Sequence, residues 1–242
     1  MLMTSMLPES VKRVLRPPYN FVRLTAFYIG QMASPFDRRF TDATPVETIV
    51  DTAMQSPIRP YQVRSELVEL GRELRSRRPK VGMEIGTFRG GTLFVLSMLA
   101  DPNATMISVD LPHGEFGGGY MRGRELVFRK FKRPGQTLHC IRASSHAPET
   151  VDAVRRALAG RALDYLFIDG DHTYDGVKKD FDLYLPFVRT GGIIALHDIF
   201  AHQPEHRCEV DVFWHELKSR YTCREIIENP AQNWAGIGIV DV

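Results

Sequence analysis

From Val81 onward the chain repeats one pattern: a strand-length apolar run, a turn, then a helical stretch. Apolar runs stand at 81–85, 106–109, 138–141, 165–168 and 193–196, with helical periodicities between them at 93–99, 125–131, 151–158 and 174–188. A strand that returns through a helix must pair in parallel, and a parallel sheet needs both faces covered. After Leu196 the pattern changes. A helix at 210–218 is followed by strands near 224–228 and 234–240 that can close the sheet as an antiparallel hairpin. The fold expected is α/β: a doubly wound, mostly parallel seven-stranded sheet with a C-terminal hairpin.

Upstream, Val63, Leu67, Leu70 and Leu74 mark one face of a helix that Pro79 stops. Before it, Pro8, Pro17, Pro18, Pro35, Pro45 and Pro57 interrupt every helical pattern. Residues 1–58 therefore read as a helical or irregular appendage, a candidate surface for self-association, and 59–242 as the main domain.

Composition narrows the function classes. With 31 basic and 29 acidic residues the formal charge is +2, and the chain is 43% hydrophobic and 25% charged. This balance lacks the footprint of a nucleic-acid binder. No uncharged apolar run reaches the roughly 18 residues of a membrane span. The stretch 21–32 is broken by Arg23, and the basic cluster Lys12, Arg13 and Arg16 follows the first apolar residues, the reverse of a secretory signal. The cytoplasm is the compartment expected; an amphipathic N-terminal segment resting on a membrane surface is the remaining membrane option. Cys140, Cys208 and Cys223 are too few and scattered for a disulfide framework or zinc pair, and read as reduced thiols.

In an open α/β sheet, ligands sit beyond the carboxyl ends of the strands. The first strand runs into Glu84-Ile85-Gly86-Thr87-Phe88-Arg89-Gly90-Gly91, an acid followed by spaced glycines at a strand-to-helix turn. Glycine there lets a flat nucleoside-like ligand approach the backbone. The second strand ends in Asp110, 20 residues past Gly90, where an acid can accept hydrogen bonds from ribose hydroxyls. The third ends in Ala143-Ser144-Ser145, small enough for an adenine rim. Strand four ends in Asp169-Gly170-Asp171-His172 and strand five in His197-Asp198. Acids brought so close repel unless a cation or proton intervenes, which makes Asp169, His197 and Asp198 candidate ligands for a divalent metal. Capping or orientation by Asp169 alone, a core role for His197 and a turn role for His172 are the plainer alternatives. The segment 112–122 carries four glycines among aromatic and charged residues and suits a lid or acceptor loop. His202 and His206 have helical ligand spacing, but Pro204 between them argues against that helix and a second metal site there.

These motifs resemble the class I S-adenosylmethionine-dependent methyltransferases over about residues 60–242. The single tight glycine preceded by an acid fits their first motif better than the richer turn a pyrophosphate requires. The resemblance implies S-adenosylmethionine as cofactor, held by Glu84, Gly86, Thr87, Gly90, Asp110, Ser144 and Asp169. The acidic strand ends are similar to those of metal-dependent O-methyltransferases, of the catechol type and of the macrocin and mycinamicin type that modify sugar hydroxyls, and to the cephalosporin hydroxylase group. That likeness implies Mg or Mn at Asp169 and Asp198, with His197 departing from the usual acid. It also implies His172, three positions after Asp169, as the base, titrating near neutrality. The expected activity is methylation of a hydroxyl on a sugar, glycan or small natural product. Alternatives are a metal-independent enzyme, a catalytically silent fold that binds partners, and a nicotinamide-dependent oxidoreductase. Arg16-Pro17-Pro18-Tyr19 only superficially matches an amino-methyltransferase signature, since it lies far ahead of the glycine turn rather than at the fourth strand's end.

Overall fold

The computed structural model describes residues 40–242 apart from 115, 117, 118 and 121. Most of the expected appendage, including the amphipathic segment, lies outside the described residues. Helix α1 (Val46–Gln55) fits between Pro45 and Pro57. Its Val46, Ile49, Val50 and Ala53 enter the same core as α2 (Arg64–Arg77) and α3 (Gly91–Leu99). The described part of segment 1–58 is therefore packed into the domain, and the 58/59 boundary does not separate it. Prolines that end a helix do not prevent a ten-residue one between them.

Strands β1 (Val81–Ile85), β2 (Thr105–Val109), β3 (Thr137–Ile141), β4 (Leu163–Ile168) and β5 (Val188–His197) are parallel. Strands β6 (Thr222–Ile226) and β7 (Ile237–Asp241) add the antiparallel hairpin, for the order β3-β2-β1-β4-β5-β7-β6. This is the expected mixed seven-stranded α/β sheet. Central β1 and β2 are buried throughout, as strands covered on both faces must be, whereas edge strand β3 is only half-buried.

Every residue of α3 is buried because the helix lies between the sheet and the α1–α2 layer, which explains its lack of a polar face. The helices α4 (Arg122–Phe128), α5 (Pro148–Leu158), α6 (Tyr174–Tyr184) and α7 (Val210–Lys218) complete the domain. The helix expected over 174–188 stops at Tyr184: Pro186 forms a 3-10 turn with Leu185 and Phe187, and Val188 already belongs to β5. Trp214 of α7 fixes the hairpin. Its indole N–H donates to Glu225 Oε1 at 2.7 Å, and its ring fills the space above Gly238, where a Cβ would come within 2.6 Å of it. Among the described residues no helix is long and apolar enough to cross a membrane.

Candidate active site

The chain order reverses direction in the sheet between β1 and β4, the place where open α/β sheets bind ligands. A cleft of about 850 Å³ opens there, reaching from the loop after β1 to those after β2, β3, β4 and β5. Three backbone hydrogen bonds hold its floor: Gly86 N–H donates to Val109 O and Asp169 N–H to Ile85 O, both at 2.9 Å, and Asp110 N–H to Ile141 O at 3.0 Å. The residue following each strand is thereby set at a defined height above the sheet.

On one side the cleft is built for close approach. Gly86 has φ +88°, and a Cβ on it would lie 1.8 Å from Asp169 O. Thr87 Oγ1 is 2.7 Å from Ser108 Oγ. Asp110 accepts from Phe88 N–H. Burial raises the Asp110 carboxyl to about 6, opposed by the Phe88 and Thr87 amides, which favour the anion. Gly86, Thr87, Asp110 and Ser144 all line the cleft. Glu84 and Gly90, expected beside them, do not. Glu84 lies inside β1, ahead of the strand end from which the cleft opens. It is fully buried, its carboxyl pushed well up by desolvation, with neither oxygen hydrogen-bonded among the described residues. Gly90 is required by the turn itself: its φ is +86°, and a Cβ would meet the Phe128 ring at 2.3 Å.

The raised Asp110 pKa carries a signed consequence. The folded state keeps a proton from the ordinary 3.8 up to about 6 that the unfolded chain has released, so this group's contribution to stability falls as pH rises through that window and is flat above it. Urea midpoints should show Asp110→Asn gaining on the parent from pH 4 to 6 and no further change from 6 to 8. A constant difference across both ranges would contradict it.

The acids and histidines stand at the ends of β4 and β5. Asp169 Oδ1 lies 3.2 Å from His197 Nδ1 and 3.4 Å from His172 Nε2. Asp198 Oδ1 is 3.2 Å from both His197 Nδ1 and His202 Nε2, and its Oδ2 is 3.4 Å from His172 Nδ1. Asp198 is a non-glycine residue in the left-handed region, φ +63°. Burial alone would raise both acids, but the flanking imidazoles hold Asp169 low and Asp198 well below the carboxylate range. Burial would likewise lower His172; its hydrogen bonds with Asp169 and Cys208, with the charges of Asp169 and Asp198, raise it instead to about 10. The two carboxylates that flank its ring thus hold the His172 pKa above the near-neutral value expected.

Asp171 has a local task. Its Oδ1 accepts from Thr173 N–H at 3.0 Å and from Thr173 Oγ1 at 2.8 Å, while Thr173 caps α6 by accepting from Gly176 N–H at 3.1 Å. Phe116, in the glycine-containing segment, stacks on His172 with centroids 4.9 Å apart.

Several cleft residues were not singled out from sequence. Gln62 Nε2 donates to Asp169 Oδ2 at 2.6 Å, while its Oε1 accepts from Thr92 at 2.8 Å, so the amide orients the acid. His146 Nε2 lies 3.2 Å from buried Asp180 Oδ1. Tyr61 stacks on Phe88 at 5.6 Å and shares the rim with Trp234, both exposed. Cys208 contacts His172 and His202.

A family model described as a methyltransferase domain matches residues 83–199, from within β1 to just past Asp198. The O-methyltransferase TomG from Streptomyces achromogenes, solved with S-adenosylmethionine, aligns at TM-score 0.55 and 16% identity over 82% of this chain and 91% of that one. This is the class I methyltransferase fold. An O-methyltransferase from Bacillus cereus in complex with S-adenosylhomocysteine shares it at TM-score 0.51 and 13% identity, over 82% and 90% of the two chains. MycE of the mycinamycin pathway, bound to Mg, S-adenosylhomocysteine and mycinamycin VI, aligns at TM-score 0.56 and 14% identity over 82% of this chain and 53% of MycE. Among curated proteins, uncharacterized protein R132 of Acanthamoeba polyphaga mimivirus is 34% identical over 116 residues, 48% of this chain and 50% of that protein. Uncharacterized protein y4gI of Sinorhizobium fredii is 27% identical over 163 residues, and the methyltransferase-fold chain spans 17% of its length.

Proposed function

We propose that the chain transfers a methyl group from S-adenosylmethionine to a hydroxyl oxygen of a sugar or small natural product. The observation that carries this is one cleft lined both by a nucleoside-type wall, Gly86, Asp110 and Ser144, and by an acid and histidine cluster. The first wall suits the cofactor. Gly86 leaves room at the backbone, and ionised Asp110 is placed to accept from vicinal ribose hydroxyls. S-adenosylmethionine, when bound, supplies a methyl already activated on a sulfonium.

The cluster's work is to orient an acceptor oxygen and take its proton. Gln62 and His197 hold Asp169 in place, and His172 is the proton acceptor facing the cleft. As imidazolium it would donate rather than accept, so it serves as a base only when Asp169 and Asp198 have their charge engaged elsewhere. One ligand atom from each of Asp169, His197 and Asp198 lies within 4.8 Å of the others; the two carboxylates suit a divalent ion such as Mg or Mn, and the imidazole favours Mn of the two. Such an ion would lend Lewis acidity to the acceptor hydroxyl. At the rim, Tyr61 and Trp234 present exposed aromatic faces suited to a sugar ring.

The test is calorimetric titration with S-adenosylhomocysteine and with NAD. Saturable binding of the first and not the second is expected, weakened about 10–100-fold by Asp110→Asn, the usual cost of losing charged hydrogen bonds. Binding of NAD alone would replace methyl transfer with the oxidoreductase alternative.

A further inference from the structure

Pro204 does keep His202 and His206 off a common helix: residues Pro204–His206 form a 3-10 turn, and the two rings meet edge-on at 6.3 Å. The consequence is not the expected loss of a second ligand set. Turning the loop there brings Cys208, two residues ahead of α7, back against the end of β4. Glu209 N–H donates to His172 O at 2.8 Å, and Tyr174 N–H to Glu209 Oε2 at 3.0 Å, which pin the loop to the residues around His172.

Ligand atoms of Cys208, His172 and Asp198 then lie within 4.8 Å of one another. Tetrahedral coordination at Zn–S and Zn–N lengths of about 2.0–2.3 Å needs donors about 3.3–3.8 Å apart, so the three can close on an ion by small side-chain rotations. His202 contacts both Asp198 and Cys208 and is available as a fourth donor.

The outer contacts are also those of a ligating set. A metal-binding imidazole usually gives its other nitrogen to a carbonyl or carboxylate. His202 directs Nδ1 to Phe200 O at 2.8 Å, leaving Nε2 toward Asp198. His172 has Asp169 behind Nε2, leaving Nδ1 toward Asp198. By contrast His197 Nε2 is buried without a partner among the described residues.

We propose that Cys208, His172 and Asp198, with His202 beside them, form a binding site for a zinc-class divalent cation, which shares Asp198 with the set Asp169, His197 and Asp198. A thiolate with imidazoles selects zinc or cobalt over magnesium, whose preference is for oxygen. Because the site uses Asp198 and His172, its occupation withdraws both from methyl transfer, and zinc is inhibitory. Binding itself does not depend on the methyl-transfer proposal; only the inhibition does.

The experiment is titration of the chelator-stripped full chain with Co²⁺. A near-ultraviolet thiolate-to-cobalt absorption saturating at one ion per chain is expected. It should vanish in Cys208→Ser and persist when Cys140 and Cys223 are both replaced by serine. No band in the parent, or an undiminished band in Cys208→Ser, overturns the site. A second measurement needs no variant: Zn²⁺ should slow alkylation of Cys208 by iodoacetamide at least tenfold, read by peptide mass mapping, while Mg²⁺ leaves it unchanged. Equal rates with the two ions overturn the proposal. S-adenosylhomocysteine binding in the same samples tests the cofactor separately, so failure of one is not failure of the other.

Discussion

His172→Ala is expected to lower methyl transfer by about 10²–10⁴-fold, the usual contribution of a positioned acid–base group, while leaving S-adenosylhomocysteine affinity within about threefold. The split follows from geometry. His172 touches Asp169, Asp198 and Phe116, whereas the contacts suited to a nucleoside come from other residues, Gly86, Asp110 and Ser144. Removing the imidazole also leaves two buried carboxylates facing each other with one cation fewer, so His172→Gln is the companion variant. It keeps a hydrogen-bonding side chain but takes up no proton at neutral pH. Both variants should be equally slow at saturating acceptor, with thermal melts reporting folding. Transfer retained within threefold by either would remove His172 from its assigned role. A loss in Ala rescued by Gln would make it a positioning residue.

The sheet could be read from residues 81–196 because strands covered on both faces are largely apolar, and even half-buried edge strand β3 keeps a short apolar run. What failed were places where local and long-range terms compete. Val188 reads as the last turn of a helix, yet Pro186 ends the helix and Val188 pairs with Leu163. The hairpin was recognised but its second strand starts at Ile237, because Ala235 and Gly236 have positive φ and turn the chain first.

The same division holds in the site. Asp110, Asp169 and Asp198 are visible because a residue just past a parallel strand has its position set by the strand. Gln62 is 107 residues from Asp169, and Cys208 sits in an irregular loop, so no spacing ties either to the acids. The ionisation of His172 was equally out of reach, since it depends on two carboxylates converging from different strands.

Gly86→Ala tests how strand positions and site are joined. A left-handed φ costs an alanine about 1–2 kcal/mol. At Gly86 there is also a collision, because the new Cβ would lie 1.8 Å from Asp169 O and 2.8 Å from Gly170 N. Those are backbone atoms of the adjacent strand end, tied back to Ile85 O by the Asp169 amide, so no side-chain rotation relieves the overlap. The ends of β1 and β4 must part, and a total destabilisation of about 3 kcal/mol or more is expected, in the range of strained-backbone substitutions. For a domain of this size that is a fall in Tm of about 6–12 °C. Gly160→Ala supplies the control: its φ is +80° but a Cβ there meets nothing within 4 Å, so it bears the conformational cost alone. The difference between the two variants isolates the collision. If Gly86→Ala melts within about 2 °C of Gly160→Ala, the strand ends are not rigidly joined, and the cleft floor that sets Asp169 against Asp110 is softer than the hydrogen bonds there imply.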